Sequence, residues 1–296
     1  MAILAGRLLA AAPFFCERFP DMSDQASKAA SFRALHEREG AFVIPNPWDV
    51  GTARLLASLG FEALATTSAG FAFSLGRPEG RSSRDEVLAH CRAIVAASEL
   101  PVSADLEKGF GDSPDSVAET IHAAAATGLA GCSIEDHTNR RDDPIFDFPL
   151  AVERIAAGVE AARSLPHDFV LTARCENYLW GRPDLDDTIR RLQAFAEAGA
   201  DVLYAPGLRS LEEIRSLCAA VNRPVNVVMG LPGAAFTVRQ LADAGVRRIS
   251  VGAALARLAY GSCLRAAQEI IEGGSFGALS EAVGFAELED RFKRFG

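Results

Sequence analysis

Residues 102–136 read VSADLEKGFGDSPDSVAETIHAAAATGLAGCSIED. A short β-rich run, Val102–Glu107, gives way to glycines at 109 and 111. Ser113 then stands as an N-cap, with Pro114 at the first helical position. A helical pattern over Pro114–Thr127 stops at Gly128, a residue suited to the left-handed turn that closes a helix. A second β-rich run, Ala130–Asp136, follows at once. A strand, a helix and a strand joined this tightly argue for parallel pairing.

The same unit recurs in both directions. Strands are expected at Ala41–Pro45, Ala63–Ser68, Val102–Glu107, Ala130–Asp136, Phe169–Glu176, Val202–Pro206, Val225–Met229 and Arg248–Gly252. Helices are expected between and after them, near Asp49–Leu59, Ser83–Ala97, Pro114–Thr127, Leu150–Ser164, Leu185–Ala198, Leu211–Val221, Phe236–Ala244 and Ala254–Glu272. Gly60, Gly128, Gly199 and Gly245 each close a helix, and Pro101 and Pro224 stand at strand starts, where a missing N–H is tolerated. Eight units predict a (β/α)8 barrel of the TIM type with an extended C-terminal helical region. A doubly wound open sheet is the alternative, but no GxGxxG follows the first strand.

The bulk numbers agree. The chain has 296 residues, 49% hydrophobic, which suits one large barrel. Net charge is −9, which argues against nucleic acid as a partner but leaves an anionic substrate open, because local arginines and a cation can invert the field in a cleft. Six scattered cysteines without a CxxC pair read as reduced thiols. Leu8–Phe15 after Arg7 faintly resembles a signal peptide, whereas the polar stretch from Ser23 to Lys28 after Met22 reads as an ordinary cytosolic start. No apolar run reaches the ~20 residues of a membrane span. A cytoplasmic protein is expected, with residues 1–30 a poorly ordered or helical extension and 31–296 the catalytic barrel with its C-terminal helices.

In a barrel the chemistry sits at the C-terminal ends of the strands. Polar residues collect there: Asn46 and Asp49, Thr66-Thr67-Ser68, Asp105 and Glu107, Glu135-Asp136, Arg174 to Asn177, and Asn226. Period-two geometry places Asp105 and Glu107 on one face. Alone, that pair reads as solvated loop residues with a helix cap nearby. Glu135, inward by the same parity with Asp136 outward, adds a third carboxylate. Such a cluster is costly to bury without a cation, and hard oxygen donors suit Mg2+ or Mn2+ with several waters retained. Thr172, Arg174 and Glu176 share a face, and Arg174 there balances charge or binds a carboxylate or developing oxyanion. Asn226 faces inward on the seventh strand and is a candidate substrate ligand or a core hydrogen-bonding group.

The motifs SADLEKGFGD (103–112), GLAGCSIED (128–136), LTARCENYLWGRPDLDDTIRR (171–191), IPNPWDVGTARLLASLGFEALATTSAG (44–70) and PVNVVMG (224–230) resemble the isocitrate lyase/phosphoenolpyruvate mutase superfamily. The resemblance runs from about Phe32 to Glu272. It implies a Mg2+-dependent barrel acting on small 2-oxo acids or enolates, as a homotetramer (a dimer of dimers) with exchanged C-terminal helices. It implies Asp105 as the nearest metal ligand, with Glu107 and Glu135 holding the metal's waters and Glu79 a further acidic position. It implies Arg174 on the substrate carboxylate or enolate oxygen, and Thr67, Ser68 and Ala69 as a substrate-contacting loop.

One departure bears on activity. Isocitrate and 2-methylisocitrate lyases carry a cysteine in a KKCGH-like segment after the fourth strand, whereas residues 137–148 here, HTNRRDDPIFDF, have neither Cys nor Lys. The stretch is expected to be a mobile polar lid or a solvated loop, with Asn139 or Arg140 as its contact to substrate. Arg174, Glu135 and Asn139 are therefore the expected catalytic groups, and Thr67, Ser68, Ala69, Asp105, Arg174 and Asn226 the substrate-binding ones. His137 is an acid/base candidate or a loop histidine; His36, His90, His122 and His167 read as surface or capping residues. Trp48 and Tyr178 read as packing aromatics, with pocket-shaping residues the alternative.

The expected function is Mg2+-dependent cleavage of a C–C bond in a small 2-oxo acid or related carboxylate. P–C chemistry of the mutase or phosphonopyruvate hydrolase kind, and a catalytically degenerate small-molecule-binding barrel, are the alternatives. A Schiff-base aldolase would need an inward lysine, and the lysines are Lys28, Lys108 and Lys293, of which Lys108 has the wrong parity. Glycines after strands seven and eight suit a phosphate site or plain turns.

Overall fold

In the computed structural model the described residues are 25–233 and 235–295. Eight strands appear in the expected places: β1 Phe42–Ile44, β2 Leu64–Ala65, β3 Val102–Asp105, β4 Gly131–Glu135, β5 Val170–Arg174, β6 Val202–Tyr204, β7 Val225–Val228 and β8 Arg248–Ser250. The helices are α1 Gln25–Glu37, α2 Val50–Ser58, α3 Ser68–Ser74, α4 Arg84–Val95, α5 Pro114–Ala125, α6 Phe148–Arg163, α7 Leu185–Glu197, α8 Leu211–Ala220, α9 Val238–Asp243, α10 Ala254–Gly273 and α11 Phe285–Phe292. All ladders are parallel, in the order β1-β8-β7-β6-β5-β4-β3-β2.

The remaining seam, between β1 and β2, is closed by other means. The Ala65 amide donates to the Pro45 carbonyl at 3.0 Å. The Asn46 side chain donates to the Thr66 carbonyl at 3.0 Å and accepts from the amides of Val251 and Gly252, both at 2.9 Å. One amide thus ties the ends of β1, β2 and β8. Together these contacts complete a (β/α)8 barrel.

Local sequence explains the boundaries. Ser113 accepts from the Ser116 amide with Pro114 behind it, and Asp49, Ser83, Ser210 and Thr237 form capping boxes. Gly60, Gly128, Gly199 and Gly245 adopt φ of 89°, 93°, 105° and 96°, the left-handed region that a side chain disfavours. Parity then sorts the strand residues. Val102, Cys132, Ile134, Leu171, Leu203, Val227 and Ile249 face the helices in one large apolar cluster. Phe42, Ile44, Val170 and Val202 face inward and form a second cluster with Ala29, Phe32 and Leu35 of α1. Phe42, Val170 and Val202 open their strands, so α1 covers the floor of the barrel. Helix α1 is continuous across residues 30 and 31, so the expected division there falls inside one element. Residues 1–24, where the signal-peptide resemblance and most of the expected extension fall, lie outside the described residues.

Above the floor the barrel interior is polar. Ser103, Thr172, Asn226, Arg248 and Ser250 are buried there, where a barrel ordinarily stacks branched apolar side chains. Of the cysteines among the described residues, Cys91, Cys132, Cys175, Cys218 and Cys263, none is in a disulfide. No helix among them is long and apolar enough to cross a membrane.

Candidate active site

Arg174, the last residue of β5, is the hub of the strand-end cluster. Its Nη1 lies 3.4 Å from Glu135 Oε2 and 3.7 Å from Asp105 Oδ1, and its Nε donates to Glu176 Oε1. The guanidinium also stands 5.1 Å from the centre of the Tyr204 ring. Burial opposes its charge, but Glu176, Glu135 and Asp105 outweigh that and hold the group firmly protonated.

Asp105 ends β3. Its Oδ2 accepts from the amide and the hydroxyl of Ser68, at 3.2 and 2.9 Å, and the Ser68 hydroxyl oxygen also lies 2.9 Å from Glu79 Oε1. Ser68 is not the end of a strand, as the sequence suggested. It opens the short helix α3, with Thr67 as N-cap accepting from the Gly70 amide at 3.2 Å. Ala69 is buried in the first turn of that helix. The substrate-loop residues Thr67, Ser68 and Ala69 are thus brought beside Asp105.

Glu107 departs from its expected geometry. β3 stops at Asp105, and Glu107 sits at φ 49°, in a turn, so it does not share a strand face with Asp105. It joins the cluster electrostatically all the same. Burial first, then Asp105, Glu135 and Glu79, push its carboxyl up to about 8. Glu79 is raised too, by desolvation and by Asp105, although solvent reaches it.

Among the described residues no three His, Cys, Asp or Glu side chains converge closely enough to enclose a metal ion directly. The donor set still fits a hard divalent cation. Asp105, Glu107, Glu135 and Glu79 offer only oxygen, and after burial it is the other three carboxylates that raise Glu107. Such a set matches one close ligand, Asp105, with the rest reaching the ion through retained waters.

The loop after β4 differs from the mobile lid expected. His137 pairs with Ile145 in an isolated β-bridge, Thr138 donates its amide to the Pro144 carbonyl at 2.8 Å, and Phe146 donates to the Asp136 carbonyl at 2.8 Å. Both ends are pinned, and only the tip around Asn139 to Asp143 is exposed. Asn139 sits at that tip with φ 64°, outside the barrel cavity, and Arg140 pairs with Asp112 and Asp143. The structure does not bring either to the cluster, because the bridge turns the tip outward. His137 instead is buried: its ring stacks on Trp180 at 3.8 Å, and its Nδ1 lies 3.6 Å from Glu135 Oε1. Trp180 Nε1 in turn donates to Glu176 Oε2 at 3.2 Å. Sequence reading passed over Trp180; four residues beyond Glu176, in one turn, was the available signal.

Below the cluster opens a cavity of about 60 Å3 inside the barrel, whose walls include Asp105, Arg174, Tyr204, Asn226, Arg248 and Ser250. A larger one, about 310 Å3, lies outside the barrel behind the residue 137–147 loop, among Arg140, Arg182, Arg191 and nearby aspartates. It contains none of the strand-end groups, so the smaller, interior cavity is the candidate site. Asn226 faces that cavity as expected, but its side chain is committed to Ser250 at 3.1 Å and Arg248 at 2.9 Å.

The comparisons agree with this geometry. A model of the phosphoenolpyruvate phosphomutase family matches residues 32–271. A solved structure from Burkholderia cenocepacia J2315, a lyase/mutase by inferred assignment, superposes with a TM-score of 0.89 at 59% identity, covering 90% of this chain and 96% of that one. The 2-methylisocitrate lyase of Escherichia coli (strain K12) is 33% identical over 230 residues, 74% of this chain and 76% of that protein. Oxaloacetate acetylhydrolase with its product oxalate superposes with a TM-score of 0.81 at 27% identity, covering 90% of this chain and 94% of that one. With the barrel, the acid cluster around Arg174 and these matches together, the chain belongs to the isocitrate lyase/phosphoenolpyruvate mutase superfamily.

Proposed function

We propose that this protein is a carbon–carbon lyase acting on a small 2-oxo acid or related carboxylate through an enolate, with Mg2+ or Mn2+ as cofactor. The observation that carries the reading is Arg174, a guanidinium fixed by Asp105, Glu135 and Glu176 at the mouth of a polar barrel cavity. Its relatives include enzymes named for C–C cleavage of such acids.

When bound, the cation supplies a Lewis acid that polarises the keto oxygen and offsets developing charge. Asp105 would be its nearest ligand, with Glu107, Glu135 and Glu79 on its waters. The chain's own residues do the rest. Arg174 binds the substrate carboxylate or the enolate oxygen and stabilises charge as the bond breaks. Ser68 fixes Asp105 and the start of α3. The pinned loop and Trp180 shield the mouth from water. The cavity of about 60 Å3 admits roughly four to six water-sized groups, so the inner end of the substrate is short and unbranched. The protein works as a homo-oligomer in this reading: Leu258, Leu264 and Ile271 of α10, and Phe285 of α11, expose 62%, 63%, 84% and 81% of their surface, suited to burial against further copies.

The test is a screen of oxaloacetate, phosphonopyruvate, 2-methylisocitrate and related acids with Mg2+ and Mn2+. A 2-oxo acid product released without phosphate is expected. Phosphate release from phosphonopyruvate would replace the reading with P–C chemistry, and no turnover with any small acid would leave a binding barrel.

A further inference from the structure

Three arginines are almost wholly enclosed by side chains yet carry no exposed end: Arg154, Arg191 and Arg248, at 1%, 5% and 5% exposure. Two have an evident reason for their charge. Arg191 pairs with Asp136 and Asp187. Arg154 gives its N–H groups to the carbonyls of Lys108, Gly111 and Ser113 and lies over the Phe146 ring, and although burial lowers it, the charges of Asp112, Asp136 and Glu135 act against that.

Arg248 is different. It points into the barrel from the start of β8. Its Nε donates to Asn226 Oδ1 at 2.9 Å, its Nη2 to Thr172 Oγ1 at 2.9 Å, and its Nη1 meets His36 Nε2 at 3.3 Å. Those partners are an amide, a hydroxyl and an imidazole, all neutral. The His36 Nδ1 lies 2.8 Å from the Phe32 carbonyl, so Nδ1 carries the proton and Nε2 accepts from Arg248. Burial drives the Arg248 guanidinium down to about 10, and among the described residues no carboxylate counters that. A buried cation without a counter-ion is costly, and a guanidinium has five N–H donors, of which three are placed.

The same side chain lines the barrel cavity, with Ser103, Ser133, Asn226 and Ser250 above it and Arg174 at the mouth. Asp105, also at the mouth, is the only acid on that wall among the described residues. The cavity therefore has a cation at each end and neutral donors between.

We propose that Arg248 is an anion subsite at the cavity floor, which takes a second carboxylate of the substrate while the other end lies against Arg174. It rests on reading this cavity as the substrate site, and it narrows the substrate to a linear dicarboxylate. The volume agrees: roughly four to six water-sized groups match one carboxylate and its adjoining carbons, with the remainder of the acid at the mouth. Thr172, Asn226 and His36 hold the guanidinium in plane, which leaves its remaining N–H groups to face a carboxylate.

The experiment compares binding of malate and 2-hydroxybutyrate, four-carbon hydroxy acids that differ by one terminal carboxylate, by calorimetry with Mg2+ present. Neither needs to react, so failure to find a cleaved substrate leaves the result interpretable. The full chain is expected to bind malate at least tenfold more tightly. Arg248→Gln is expected to remove that preference while changing 2-hydroxybutyrate affinity less than threefold; Arg248→Lys, charged but lacking the fork, is expected to keep part of it. Equal binding of the two acids by the unmodified chain overturns the proposal, as does a folded Arg248→Gln variant that keeps the preference. If the variants do not fold, a crystal of the unmodified chain soaked with malate decides: a carboxylate in hydrogen-bond contact with Arg248 supports the subsite, and malate bound wholly at the mouth overturns it.

Discussion

Ser68 gives both its backbone amide and its hydroxyl to one oxygen of Asp105, Oδ2, at 3.2 and 2.9 Å. The first turn of α3 thereby sets the rotation of the carboxylate that ends β3. Its other oxygen, Oδ1, is left toward the Glu107 amide at 3.4 Å and toward Arg174. Groups that orient a metal-binding carboxylate commonly change metal affinity or activity by ~10–100-fold when removed. Ser68→Ala is therefore expected to raise the cation concentration for half-maximal activity by about that factor, with circular dichroism and melting temperature little changed. Activity titrated with Mg2+ reads this directly; an unshifted half-saturation means that Asp105 is oriented by something else.

Arg174 is expected to be intolerant even of lysine. It meets Glu135, Asp105 and Glu176 at once, from two of its nitrogens. Lysine keeps the charge but offers a single ammonium without the planar fork. Arg174→Lys should fold, because Glu135 and Glu176 keep a cation between them, and should lose more than about 100-fold in kcat/KM, roughly 2.7 kcal/mol of transition-state stabilisation. Arg174→Ala should also lose stability, since Glu176 is left buried and unpaired. The two variants compared in urea melts and steady-state kinetics separate the roles; near-normal kinetics in Arg174→Lys would remove Arg174 from the chemistry.

How much of this was legible follows from the kind of signal each feature leaves. Helix ends leave strong ones: Gly60, Gly128, Gly199 and Gly245 are all left-handed, as their positions after apolar runs required. Period two found Asp105, Glu135, Arg174 and Asn226, because each lies within a strand. It failed at Glu107, two residues beyond the end of β3, where the chain has entered a turn. It failed at Ser68 because β2 spans only Leu64–Ala65 and the chain turns at once into α3. The floor was invisible for another reason. His36 read as a surface or capping residue, and only the closed barrel brings it against Arg248, 212 positions away.

Trp180 should report on the mouth of the site. It stacks on His137 and bonds Glu176, so it ties the loop after β4 to the exit of β5. Trp180→Ala is expected to lower kcat at least tenfold while leaving the melting temperature within a few degrees, because the ring is 41% exposed and the core does not depend on it. The chain has two tryptophans, so Trp48→Phe isolates the Trp180 emission. Titration with a small acid is expected to change that emission. A silent Trp180 would separate the stack from the ligand.

Among the described residues no thiol is placed to act as acid or base. Cys132 lies on the helix-facing side of β4 and Cys175 is buried just past Arg174, and burial raises both thiols above their ordinary range. Residues 137–148 contain no cysteine. Isocitrate is therefore expected to yield no glyoxylate, and iodoacetamide at neutral pH to leave activity on the true substrate intact. Glyoxylate appearing in a phenylhydrazone assay, or rapid inactivation by the alkylating agent, would reinstate a cysteine.

The floor of the barrel predicts a pH dependence of stability. His36 is held down to about 3, by burial first and by Arg248 second. The unfolded chain titrates this group near 6.5. Below that pH the unfolded chain takes up a proton that the folded chain refuses, because Nε2 faces a guanidinium. The stabilisation is complete above about 6.5 and is lost as pH falls toward 3, with a slope approaching about 1.4 kcal/mol per pH unit for one proton. His36→Gln keeps an acceptor for Arg248 but cannot titrate. It is expected to be less stable than the parent at pH 7.5, and the gap is expected to close as pH falls from 6.5 to 4.5. Other groups change over the same range, His90 among them, which burial lowers to about 4. They are common to both chains and cancel in the difference. Urea melts of the two proteins across that range give the answer, and parallel stability curves would place the His36 imidazole outside the titration.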